Sequence, residues 1–150
     1  MKPISMIIAL GALLLFAACG DEPERIVSGE TEDGRWELTL EARKNALRSG
    51  EALPVRVTLV SLAGQPAATF RDTIDFVANA GSVSPNRLVF TFVGAEDTTY
   101  TGVGNTTQFS DWVTYTLSTS SSQANEERQG EMSALFRDLE AVLKIRIVQD

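Results

Sequence analysis

The chain has 150 residues, with 13 Lys and Arg against 20 Asp and Glu, and a net charge of −7. It has no histidine and a single cysteine, which excludes Ser/His/Asp and Cys/His catalytic sets, His-ligated metals and an internal disulfide. An acidic chain without clustered Lys and Arg also lacks the charge that binding nucleic acid demands.

Lys2 is the lone early positive charge, and Ile4 to Ala18 is apolar apart from Ser5 and Gly11. A membrane-spanning helix needs about 20 apolar residues. This run is shorter and ends in small residues, the pattern of a secretory signal. "LLFAAC" at 14–19 resembles the bacterial lipobox, in which small residues precede an obligate cysteine; Phe16 stands where that motif usually has Leu. The resemblance implies that residues 1–18 are removed as a lipoprotein signal peptide. It also implies that Cys19, as lipid attachment site, becomes an acylated mature N-terminus. Several acyl chains together hold a protein firmly on a bilayer, at about 0.8 kcal/mol per buried CH₂. An ordinary signal with an incidental cysteine, or a short membrane anchor, is the plainer alternative. Gly20 after the cysteine implies the outer membrane under the enterobacterial sorting rule. Asp21, Glu22 and Glu24 resemble the surface-export signal of some Bacteroidetes lipoproteins, which leaves the periplasmic and surface sides both open.

"GDEPERIVSGETEDGR" (20–35) is rich in acid, Gly, Pro and Ser. Such a composition buries too little apolar surface to order itself, so 19–35 is expected to be an acidic, disordered tether. From Trp36 the period becomes two. "WELTLEA" places Trp36, Leu38, Leu40 and Ala42 on one face, "VRVTLV" Val55, Val57 and Leu59, and "TIDFVA" Ile74, Phe76 and Ala78. "RLVFTFVG" adds Leu88, Phe90 and Phe92, "DWVTYTLS" Val113, Tyr115 and Leu117, and "LKIRIV" Leu143, Ile145 and Ile147. Alternation of this kind marks half-buried strands. Turn residues separate them at 45–54, 61–69 and 79–86, and "STSSSQANEERQG" (118–130) is a polar connection. In "EMSALFRDLEAVLK" (131–144), Met132, Leu135, Phe136, Leu139, Val142 and Leu143 fall at helical spacing. The same segment also reads as two strands, with Met132, Ala134 and Phe136 inward and a turn near Asp138. The fold expected is all-β, an antiparallel sandwich of about seven strands over 36–150.

"LPVRVTLVSLAGQPAA", "TIDFVANAGSVSP" and "GEMSALFRDLEAVLKIRIV" together resemble the bacterial Ig-like (Big) domains of the invasin/intimin type. The matching elements are the strand Val55–Val60, the turn Gly64–Pro66, the strand and turn Ile74–Pro85, and the closing hairpin Gly130–Val148. The resemblance implies an Ig-like sandwich and favours two strands at the C-terminus. The stretch 92–111 is longer than the family's middle segment, and "FRDTIDF" lacks its usual turn glycine.

Carboxylates are the strong titratable groups left for catalysis. Asp72 with Asp75, or Glu96, Asp97 and Asp111 around the long middle loop, could form an acid/base pair, although no spacing marks one. "EDTT" with Asp111 could offer oxygens to calcium, yet no D-x-D-x-D-G pattern is present. "GVGNTT" (102–107) lacks the Lys of a phosphate loop, and its Asn105-Thr106-Thr107 is a chance match to a glycosylation acceptor. Trp36 and Trp112 read as core, with ligand stacking as the sharper alternative; Tyr100 in the long loop is the better surface candidate. No catalytic residue, metal ligand or cofactor is assigned. The expectation is a lipid-anchored, non-enzymatic envelope protein. Its partners are the membrane through its N-terminal lipid, and another envelope protein or an extracellular glycan or protein. Pairing with an envelope assembly through a sheet edge is one alternative, and a carboxylate-dependent glycan hydrolase is the other.

Overall fold

A computed structural model describes residues 25–30, 32–118 and 129–148. The signal peptide, Cys19 and the start of the tether lie outside the described residues. Among the described residues ten strands form two sheets. In spatial order the first holds β1 (Arg25–Glu30), β2 (Trp36–Ala42), β4 (Ala52–Ser61), β8 (Gln108–Leu117) and β6 (Gly81–Ser84). The second holds β3 (Ala46–Leu47), β10 (Leu139–Ile147), β9 (Gln129–Phe136), β5 (Phe70–Asn79) and β7 (Arg87–Phe92). Neighbours are antiparallel except β3 and β10, which run parallel. The protein is an all-β, Ig-like sandwich, and the alternating positions supply its core. Leu38, Leu40, Val55, Val57, Leu59, Ile74, Phe92, Val113, Tyr115, Leu143 and Ile145 are all buried between the sheets.

Three strands were not expected. The first, β1, falls inside the segment read as tether, so strand structure is found from Arg25 and not only from Trp36. Composition undervalues it because its pairing is through backbone: six consecutive residues register against β2, from Arg25 opposite Ala42 to Glu30 opposite Glu37. Gly29 lets β1 lie close to β10, since a Cβ there would stand 3.3 Å from the Glu140 carbonyl oxygen. The second, β3, is two residues of the turn region that ladder onto the end of β10. The third, β6, lies in what reads as a Gly/Pro break; at Ala80 (φ 57°) the chain leaves the second sheet and pairs with β8 in the first.

The helical reading of 131–144 is overturned. β9 and β10 form a hairpin whose turn is Arg137 and Asp138, with Leu139 directly opposite Phe136. A two-residue turn places both flanking residues on the same face. The inward positions 132, 134, 136, 139, 141 and 143 therefore mimic an i, i+3 spacing where the hairpin closes.

At one end of the sandwich the Trp36 ring lies 5.1–5.6 Å from those of Phe70, Phe92 and Phe136, and Phe90 lies 5.4 Å from Phe109. Arg137 covers this cluster, with its guanidinium 4.9–5.5 Å from the Trp36, Phe70 and Phe136 rings. At the other end Tyr115 crosses from β8 to donate its hydroxyl to the Asn79 carbonyl of β5 at 3.0 Å, tying the two sheets together. The room for it comes from two glycines: a Cβ on Gly81 would meet the Tyr115 hydroxyl at 2.8 Å, and one on Gly130 at 2.5 Å.

Burial pushes the Tyr115 phenol up to about 12. Because the folded state holds this proton more tightly, its contribution is intact below about pH 10 and declines as pH rises toward 12, where the unfolded phenol ionises first. Tyr115→Phe is therefore expected to cost about 1–2 kcal/mol in denaturant unfolding at neutral pH. It should also remove the late step of the tyrosine absorbance titration. A late step that survives in Tyr115→Phe would contradict this assignment.

Candidate functional site

The candidate carboxylates do not assemble. Asp72 and Asp75 are three residues apart on β5 and so project from opposite faces. Asp75 pairs with Arg87 on the outer face, whereas Asp72 pairs with Arg137 at 3.3 Å beside the aromatic cluster. Glu96 is exposed in the loop, and Asp97 is consumed by the loop's own structure. Among the described residues no group of three or more Asp, Glu, Cys or His could hold a metal. The two tryptophans part company. Trp36 is core, as its alternation predicts, while Trp112 is 54% exposed on the outer face of the first sheet. Trp112 stands opposite Arg56, whose Nε donates to Ser110 Oγ at 3.0 Å.

The long loop, 93–107, is tightly tied. The Ala95 and Glu96 amides donate to the carbonyls of Pro66 and Ala67, and the Gly94 amide to Thr69 Oγ1 at 2.9 Å. Asp97 gathers donors from the Thr69 hydroxyl, the Thr99 amide and hydroxyl, and the Tyr100 amide, and these hold its carboxyl below the usual range, Thr69 most of all. Tyr100 in turn donates its hydroxyl to the Val103 carbonyl at 2.9 Å. Gly104 slips beneath: a Cβ there would lie 2.7 Å from Val93 Cγ2 and 3.2 Å from the Tyr100 ring. The Gly-rich run is therefore a packed turn that stands Tyr100 up as a wall.

Between this wall and β7 lies an open cleft of about 380 Å³, lined by Arg71, Val89, Thr91, Tyr100 and Val103, with Phe90 and Phe109 of the core also reaching it. That volume is at the small end of ligand sites. Val103 is 98% exposed and Val89 47%. Arg71 has no ion pair or hydrogen bond among the described residues. Of these residues only Tyr100 stood out in the sequence. Val89 could have been found, because the alternation of "RLVFTF" puts an apolar residue on the outer face, where it has no core to enter.

The cleft runs along a strand edge. The Phe76 amide donates to the Asn86 carbonyl at 2.9 Å. In the β5–β7 register, even-numbered residues of the two strands therefore exchange hydrogen bonds, and Arg87, Val89 and Thr91 turn theirs away from β5. Asn105 takes the far rung. Its amide donates to the Thr91 carbonyl at 2.9 Å and its carbonyl accepts from the Val93 amide at 2.6 Å, a parallel bridge opposite Phe92. The Val89 amide and carbonyl and the Thr91 amide have no partner among the described residues.

Comparison with known families finds no match for the chain, and comparison with curated proteins finds none either.

Asp97 works as the loop's clasp only when ionised. A depressed carboxyl contributes stability above its ordinary range and loses it as pH falls through the depressed value. Limited proteolysis of 93–107 is thus expected to accelerate in acid below the ordinary Asp range, and in Asp97→Ala at neutral pH, with the melting temperature of the sandwich little changed. Equal protection of the loop in Asp97→Ala and wild type would refute the clasp.

Proposed function

We propose that the chain is a lipid-anchored cell-envelope protein, held in the outer membrane through Cys19, that displays its Ig-like sandwich as a non-enzymatic binding module. The resemblance of "LLFAAC" to a lipobox and that of the body to the invasin/intimin-type Ig-like domains support the location and the display role. The observation that carries the binding role is the cleft beside β7, where two exposed valines, an unpaired arginine and a braced tyrosine surround unpaired backbone groups. Soluble domains seldom leave such a combination to water unless a partner covers it. Binding is favoured over catalysis by the state of the carboxylates: Asp72 and Asp75 are bound to arginines and Asp97 to loop hydroxyls and amides.

Two measurements test the reading. Cys19→Ser should move the protein from the membrane to the soluble fraction, with loss of the acyl mass from the intact chain; firm membrane retention would remove the anchor. A photo-crosslinking residue in place of Val103 should capture a stoichiometric partner in intact cells, while the same residue at Leu62, exposed but away from the cleft, should not. Identical outcomes at the two positions would end the claim that this cleft is the binding site.

A further inference from the structure

We infer that the partner is an extended peptide segment that adds as a strand to the edge of β7 and carries a carboxylate for Arg71. The inference rests on the binding-module reading above and names what the module takes. Exposed strand edges bind other strands because their amides and carbonyls sit at the strand repeat and point outward in the plane of the sheet. Here the edge already does so once: Asn105 docks beside Phe92 with two backbone bonds, through the Thr91 carbonyl and the Val93 amide. The loop stops there. The next groups along the edge, the Thr91 amide and the Val89 amide and carbonyl, continue the same ladder into the cleft.

The side chains around the cleft set the chemistry of the incoming strand. Alternate residues of an added strand share the faces of their neighbours in β7. Those level with Phe90 point inward, toward the Phe90 and Phe109 rings, and ask for apolar groups. Those level with Val89 and Thr91 point to the outer face, where Arg71 is the register partner of Thr91. Arg71 also lines the cleft. A guanidinium with no other partner there favours a carboxylate, which it can take in a two-pronged hydrogen bond. Tyr100 and Val103 close the far side. A second copy of this chain is a poorer occupant, because each copy carries a net charge of −7 and like-charged copies repel. A free sugar would leave the in-plane backbone row unmatched.

The test uses the full chain, extracted from membranes in detergent, and short synthetic peptides that alternate valine with threonine and carry one central aspartate or, as the control, one central lysine. The aspartate peptide should bind wild type and bind Arg71→Glu about tenfold more weakly, and Arg71→Glu should instead prefer the lysine peptide. Val89→Pro removes an outward amide that forms no ladder bond in the fold, and should abolish binding of both peptides. Should Val89→Pro fail to fold, the exchange of preference in Arg71→Glu, an exposed substitution, decides alone. Equal affinity of both peptides for wild type and Arg71→Glu would overturn the inference, as would a wild-type dimer that Val89→Pro converts to monomer. Undiminished crosslinking from position 103 in Val89→Pro would overturn strand addition while leaving the binding site standing; no crosslink even in wild type would remove both.

Discussion

A sandwich of two five-stranded sheets has four edges, and each presents a row of amides and carbonyls that must be paired, covered or capped. Most of the irregular features of this chain are answers to that demand. On one side, β1 extends the first sheet and lies against β10, and β3 ladders onto the end of β10. On the other, β6 crosses between sheets to cover β8 from Thr114 to Leu117. Above that point no described strand pairs with this edge of β8, and there the Trp112 amide, which faces away from β4, donates to the carboxylate of its own neighbour Asp111 at 2.8 Å. The same device appears on β5. Where β9 has turned away, the Thr73 amide donates to Asp72 at 2.9 Å. Two carboxylates that suggest chemistry on composition alone are edge caps in the fold.

Burial alone does not choose this arrangement, because any alternating strand would sit on either sheet. What fixes the pairing is a small number of contacts that only one register permits. Tyr115 reaches Asn79 only if β6 and β9 pass it with glycine at 81 and 130. Arg137 reaches both Asp72 and the aromatic cluster only if the hairpin turns at that residue, at φ 55°, a backbone region that usually falls to glycine. The turn strain is offset by an ion pair and three ring faces. This explains why a two-residue turn without glycine persists there, and why local helical spacing loses to it.

These contacts also mark the limits of reading the sequence. The faces of β2, β4, β5, β7 and β8 were legible, because a two-residue period leaves no choice once one face is buried. Their inward residues are the core observed, apart from Ala78, which is half-buried at its margin. Strands held through backbone were not legible: "RIVSGE" sits in an acidic stretch, and "GSVS" looks like a break. Neither carries enough side-chain signal to declare a ladder whose partners lie across the fold. The cleft was half legible. Its loop stood out by length and by Tyr100, but Arg71, Val89 and Phe109 come from three strands, and only the register brings them to one place.

An open edge invites indiscriminate pairing, so its form here is informative. The exposed run on β7 is short, bounded at one end by Asn105 and at the other by Arg87, which is tied to Asp75. A long flat edge would take any strand; two or three rungs between a loop and an ion pair can take only a short one. In the strand addition proposed above, the backbone groups supply little affinity by themselves, and side chains must supply the rest. Under that proposal selectivity falls to Arg71, Tyr100 and the valines, and a rigidly tied loop serves it. A wall that moved would surrender the apolar contact on which a short strand depends, and the clasp of Asp97, Thr69 and Thr99 prevents that movement.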